Sequence, residues 1–159
     1  MKLKKQITYS KKEAYRDATL FIIICEGQKT EPAYFSYFDR LTSRLKVLPL
    51  FNEEGKSAPK HLVGLATTAY QRYANTGPIS IWIVIDVDRW KAQIPKLQKD
   101  CKEKNWKLSI SNPCFEVWLN AHSEKPTLPN NIANCKDWKP HVARAFAGEG
   151  LILKKIPYF

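Results

Sequence analysis

Acidic side chains follow two short apolar segments of this chain, at the point where each segment ends. Glu26 comes directly after residues 20–25, and Asp86 and Asp88 close the segment 79–88. Two carboxylates spaced i, i+2 at a strand end face the same side and can reach one cation. Close carboxylates repel each other unless a cation neutralises them, and Mg²⁺ uses one or two protein carboxylates together with substrate phosphate. The pattern predicts an acidic metal site; the simpler alternative is a solvated loop that happens to contain two aspartates.

The segments that carry these residues have the pattern of a parallel sheet. They are short and rich in β-branched residues, as strands buried on both faces are. Strands are predicted at residues 19–26, 46–51, 79–86 and 106–110, and helices at 30–45, 59–74, 90–104 and 114–122, with a further helix near 138–147. Pro49 marks the second strand as an edge or irregular strand. Right-handed crossovers would place all four carboxyl ends at one edge. We therefore predict an α/β protein with a three-layer fold around a mostly parallel four-stranded central sheet.

Composition favours a polyanionic partner. The chain has 159 residues, with 26 Lys and Arg against 15 Asp and Glu, and its formal net charge is +11. Such a balance is most often associated with nucleic acid. No apolar stretch is long enough for a membrane span or a signal peptide, so we expect no membrane contact and a cytoplasmic location. The four cysteines form no C-x-x-C pair and the three histidines are scattered, which gives a zinc site little support.

Three segments together resemble the motifs of the RloB-like proteins, a family related to the Toprim fold of topoisomerases, primases and OLD-type nucleases. They read Glu-Gly-Gln-Lys-Thr-Glu-Pro-Ala-Tyr-Phe at 26–35, Asp-Val-Asp-Arg-Trp at 86–90 and Ser-Asn-Pro-Cys-Phe-Glu-Val-Trp-Leu at 111–119. In Toprim domains, an acidic residue after the first strand and a D-x-D pair after the third hold Mg²⁺ and handle protons during phosphodiester chemistry. Carried over residue by residue, these roles fall on Glu26, Asp86 and Asp88.

The resemblance implies a Toprim-like fold and an endonuclease that depends on Mg²⁺ or Mn²⁺ and acts on DNA or RNA. Because RloB-like genes accompany restriction loci and other anti-phage systems, it also implies a role in defence, with a partner ATPase and a homo-oligomer as assemblies to test. Haloacid-dehalogenase-type phosphatases fit less well, because Arg89 stands where they have Thr or Val. Two alternatives remain open: a Toprim-like module that binds nucleic acid or a partner without cutting, and phosphoryl or nucleotidyl transfer to a small molecule.

The third motif adds further polar candidates. Glu116 lies on the first turn of the fourth predicted helix, where it can complete the acidic site or stabilise the helix start. Ser111 and Asn112 come just before that helix and can donate hydrogen bonds to phosphate. In the first motif, we interpret Glu31 as an acidic residue that complements the positive end of the first helix.

Three cationic residues are candidates for substrate binding. Arg89 directly follows the D-x-D pair and can hold a phosphate or neutralise the carboxylates. Lys60 opens the second predicted helix near the same edge, and Lys29 can balance phosphate charge or stand as an ordinary solvated loop lysine.

We expect a flexible basic N-terminal arm at residues 1–17, a Toprim-like catalytic domain at 18–122 and a C-terminal extension at 123–159.

Overall fold

A four-stranded sheet forms the centre of the structure. The computed structural model describes residues 18–39, 41–122 and 134–148, with only the backbone described from 146 to 148. The predicted arm at 1–17 lies outside the described residues, as do 123–133 and 149–159 of the predicted C-terminal extension. The strands are β1 (Thr19–Cys25), β2 (Leu45–Leu50), β3 (Ile79–Asp86) and β4 (Lys107–Ser111). The helices are α1 (Thr30–Phe38), α2 (Pro59–Tyr73), α3 (Ile94–Glu103), α4 (Phe115–Asn120) and α5 (Cys135–Gly148).

The strand order is β2-β1-β3-β4, and every pairing is parallel. The predicted α/β fold class is therefore confirmed, and the arrangement is consistent with a three-layer Toprim-like fold. β2 lies at an edge, as Pro49 predicted, since an edge position tolerates a residue without a backbone N–H. None of the described helices is long and apolar enough to cross a membrane.

Helices cover both faces of the sheet, because successive strand side chains point to opposite faces. On one face, apolar residues of the strands pack against α2 and α3, among them Ile22, Ile24, Ile83, Leu62 and Leu97. On the other face, the strands pack against α1, α4 and α5, through residues that include Ile23, Val84, Tyr34, Phe115 and Trp138. The carboxyl edge of β1 and β3 thus lies between two apolar layers, where a charged side chain is largely withdrawn from water.

Two helix boundaries differ from the prediction by four residues or more. α1 ends at Phe38 instead of continuing to Leu45, and the Asp39 carboxylate accepts a hydrogen bond of 2.8 Å from the backbone N–H of Val47, which ties the connection to β2. α3 begins at Ile94 instead of residue 90, because residues 88–93 form turns. In the first of these turns, the Asp88 side chain accepts the backbone N–H of Arg89 at 2.6 Å, and such local bonds compete with helix formation.

Candidate functional site

Parallel pairing brings the three sequence motifs to one edge of the sheet. β1 and β3 are aligned so that Cys25 lies opposite Val84, and the backbone N–H of Glu26 donates to the carbonyl of Val84 at 3.1 Å. Asp86 lies opposite Ser111 at the end of β4. The first acidic residue, the D-x-D pair and the start of the third motif are therefore neighbours, as predicted.

Both carboxylate oxygens of Glu26 accept hydrogen bonds. Oε2 accepts the backbone N–H of Asp86 at 2.9 Å. Oε1 accepts two donors, Nη2 of Arg89 at 3.0 Å and the indole Nε1–H of Trp90 at 2.9 Å. The Glu26 side chain is only 5% exposed, so these bonds hold a buried carboxylate in one orientation between β1 and the turn after β3. The role of Trp90 is not evident from the sequence, because its contact with Glu26 joins residues far apart in the chain.

Two more carboxylates are buried beside Glu26. Glu116, at the first turn of α4, is buried, and so is Glu31, at the first turn of α1. The backbone N–H of Gly27 donates to Glu31 Oε1 at 3.1 Å. The prediction that Glu31 complements the positive end of the first helix was incomplete, because its side chain also turns back to the end of β1. We call Glu26, Glu31, Asp86, Asp88 and Glu116 the acidic cluster.

Burial and repulsion between carboxylates act on two members of the acidic cluster, Asp86 and Glu31. Burial, followed by the negative charges of the other four members, raises the pKa of Asp86 to about 8. Burial also raises the pKa of Glu31, against the lowering effect of backbone hydrogen bonds that include the one from Gly27. A half-buried carboxyl at the centre of the acidic cluster therefore retains its proton at neutral pH in the absence of added positive charge.

Arg89 is the cation that contacts the acidic cluster most closely in the described part of the chain. Besides its bond to Glu26, its Nε lies 3.8 Å from Asp88 Oδ1. Lys29, just before α1, and Lys60, on the first turn of α2, are exposed. Neither lysine forms an ion pair with the acidic cluster among the described residues, so their predicted contact with substrate stays a prediction.

Ser111 and Asn112 lie between the acidic cluster and an apolar cavity. The carbonyl of Ser111 accepts the backbone N–H of Val87 at 2.9 Å, which fixes the end of β4 beside the D-x-D pair. Both residues line a cavity of about 580 Å³ whose other walls include Trp82, Phe115 and Trp118. Their position fits a substrate contact next to the acidic cluster, and their donation to phosphate stays a prediction.

The donor set of the acidic cluster fits a divalent cation in its chemistry. All five members supply carboxylate oxygen, the ligand type that Mg²⁺ and Mn²⁺ prefer, and their repulsion is what a cation would relieve. In the described ranges, however, no group of three or more His, Cys, Asp or Glu side chains is arranged to hold a metal ion as the side chains stand. Cation binding would therefore require side chains to change rotamer.

Gly27 lacks a side chain at a point where the Glu31 carboxylate fills the space. A Cβ at residue 27 would lie 2.7 Å from Glu31 Oε1, closer than nonbonded atoms approach. We expect Gly27→Ala to displace that carboxylate and to lower the free energy of unfolding by about 1–3 kcal/mol, the cost of a buried polar group that loses its partner. Urea denaturation measures the change.

Gly64 on α2 supplies the matched control. A Cβ there would meet no atom within 4 Å, so Gly64→Ala should raise the free energy of unfolding by about 0.5–1 kcal/mol, since alanine favours helix over glycine. Equal effects of the two substitutions would show that the Gly27–Glu31 contact is not needed for stability.

The fold and the site together define a class of protein: a three-layer α/β domain with a partly buried acidic cluster at the carboxyl edge of a parallel sheet. A sequence model of one family, described as RloB-like protein, matches residues 21–148. The chain therefore belongs to the RloB-like family. No curated protein and no solved structure matches the chain significantly.

Proposed function

We propose that this RloB-like protein is a nuclease that depends on Mg²⁺ or Mn²⁺. The observation that carries the proposal is the convergence of five carboxylates at one sheet edge, where burial and then the neighbouring negative charges raise the pKa of Asp86 to about 8. Asp86, Asp88 and Glu26 are the residues that would hold the cation. A divalent cation supplies electrostatic stabilisation to a phosphoryl oxygen and lowers the pKa of water.

Side chains of the protein would transfer protons and bind the substrate. Glu26, oriented by Trp90 and the Asp86 backbone, can accept a proton or bind the cation, and Glu116 can assist from α4. Arg89, with a side chain that is 66% exposed, can contact a phosphate. Lys29, Lys60, Ser111 and Asn112 are the further candidates for binding substrate. The formal charge of +11 would attract the nucleic acid.

Family membership supports the biological part of the proposal. Because RloB-like genes accompany restriction loci and other anti-phage systems, we propose a role in defence, and with it a cytoplasmic location and assembly with a partner ATPase or a second copy. Each is proposed here as the setting of the nuclease.

A second candidate function is a module that binds nucleic acid or a partner without cutting. One observation favours it: both oxygens of Glu26 already accept protein hydrogen bonds, three in all. A carboxylate satisfied in this way can serve the fold without any cation.

A cleavage screen separates the two functions. Plasmid, single-stranded DNA and tRNA are incubated with the protein in Mg²⁺, in Mn²⁺ and in EDTA. The nuclease proposal expects cleavage of at least one substrate with a divalent cation and none in EDTA. Full nucleic-acid affinity in EDTA, with no cleavage under either cation, would contradict it and support the binding module.

A further inference from the structure

The guanidinium of Arg89 lies between two members of the acidic cluster that come from different segments. Its Nη2 is 3.0 Å from Oε1 of Glu26, at the end of β1, and its Nε is 3.8 Å from Oδ1 of Asp88, in the turn after β3. These are two of the three residues that would hold a cation under the proposed function. The guanidinium therefore supplies positive charge where a metal ion would supply it.

The oxygen that Arg89 contacts has no capacity for a further partner. Oε1 of Glu26 accepts both Arg89 and the indole N–H of Trp90, and a carboxylate oxygen offers two lone pairs. A cation that binds this oxygen must replace one of the two donors. Two positive charges a few ångströms apart also repel each other, so electrostatics disfavours keeping Arg89 beside the cation.

Arg89 and Trp90 differ in how easily they can leave. Trp90 is half-buried and packs against the apolar core that α2 and α3 share with the sheet, so moving it would expose apolar surface. The Arg89 side chain is 66% exposed, so its guanidinium can move into water, and an arriving cation would neutralise the buried Glu26 carboxylate that the guanidinium leaves. Trp90 would thus keep Glu26 oriented while Arg89 moves.

We infer that Arg89 is an exchangeable counter-ion: it neutralises Glu26 and Asp88 without a cation, and a divalent cation displaces it. The displaced guanidinium is then free to bind a phosphate group of the nucleic acid, for which its planar fork of donors is suited. This inference rests on the proposed cation binding. It adds a sequence of events, in which the cation binds first and Arg89 then contacts the substrate.

A Mn²⁺ titration tests the exchange without using activity. Free Mn²⁺ is followed by electron paramagnetic resonance with wild type, Arg89→Gln and Lys91→Gln, each first stripped of metal. Lys91 is the matched control, because it is exposed two residues away and forms no ion pair with the acidic cluster in the described structure. We expect Arg89→Gln to bind Mn²⁺ about tenfold more tightly, because a competing charge is gone, and Lys91→Gln to remain close to wild type.

The failures of the two proposals are distinguishable in this titration. Mn²⁺ binding by wild type that is unchanged or weaker in Arg89→Gln would overturn the exchange and leave the proposed cation site standing. An absence of Mn²⁺ binding by every variant would overturn the cation site itself.

A second measurement tests whether the displaced Arg89 contacts a phosphate group of the nucleic acid. With saturating Mn²⁺, we expect Arg89→Gln to bind a single-stranded oligonucleotide more weakly than Lys91→Gln does. In EDTA, the Arg89 side chain of Lys91→Gln stays paired with Glu26, so the two variants should bind the oligonucleotide equally. Equal affinities under both conditions would overturn the assignment of Arg89 to phosphate.

Discussion

Asp86→Asn is expected to abolish cation-dependent cleavage while the chain stays folded. Asp86 ends β3 at the centre of the acidic cluster, so its carboxylate faces the charges that a cation would neutralise. Asparagine has nearly the same shape but brings no negative charge to a cation. We expect the cleavage rate in Mn²⁺ to fall by at least about 100-fold, since disturbing even the outer partners of a metal site costs 10–100-fold.

The control for this substitution is Asp100→Asn. Asp100 lies on α3, where its carboxylate pairs with Lys96 at 2.7 Å, and it is not among the charges that shift the pKa of Asp86. Its loss should leave the cleavage rate unchanged. Circular dichroism and thermal melting of both variants show that the fold is retained. Cleavage by folded Asp86→Asn at the wild-type rate would contradict the role given to Asp86.

The cation-free protein is expected to lose stability as the pH rises from about 4 to about 8. The pKa of Asp86 is raised to about 8 in the folded state, mainly by burial and then by neighbouring carboxylates. Between the ordinary aspartate pKa of about 4 and this value, the folded state keeps a proton that the unfolded chain has released. Raising the pH therefore favours unfolding, by roughly 2–4 kcal/mol across the window once access of water to the half-buried group is taken into account.

Urea denaturation in EDTA at several pH values measures this dependence. Asp86→Asn removes the titrating group, so its stability should fall less steeply and should exceed that of wild type above about pH 8. A smaller slope of the same sign should remain, because burial also raises the pKa of Glu31. Parallel curves for wild type and Asp86→Asn would show that Asp86 does not carry the dependence.

Local patterns were sufficient to predict the sheet. Short β-branched segments separated by amphipathic helices specify parallel β-α units, and the handedness of the crossovers then places Glu26 and Asp86 at one edge. Pro49 correctly indicated an edge strand, because a residue without a backbone N–H weakens a central one. The motifs also predicted that Glu116 and Arg89 lie near the acidic residues, and the structure places both there.

The individual hydrogen bonds between distant residues could not be predicted. The bonds of Glu26 to Arg89 and Trp90 cross more than 60 positions of the sequence, and they depend on how the turn after β3 folds back over β1. The position of Glu31 depends on the empty space at Gly27. The spacing Glu26-Gly27-x-x-x-Glu31 is the signal that could have indicated it, since a residue four positions after a glycine can turn back to its N–H.

Calorimetric titration of metal-stripped protein with Mn²⁺ at neutral pH, in two buffers of different ionisation enthalpy, tests the central claim most directly. If the acidic cluster is a cation site, wild type should bind about one Mn²⁺ and release close to one proton, because the cation drives off the proton that Asp86 holds. Asp86→Asn should bind at least about tenfold more weakly, without that proton release. Equal affinity and equal proton release in the two proteins, or no binding by wild type at millimolar Mn²⁺, would contradict the claim.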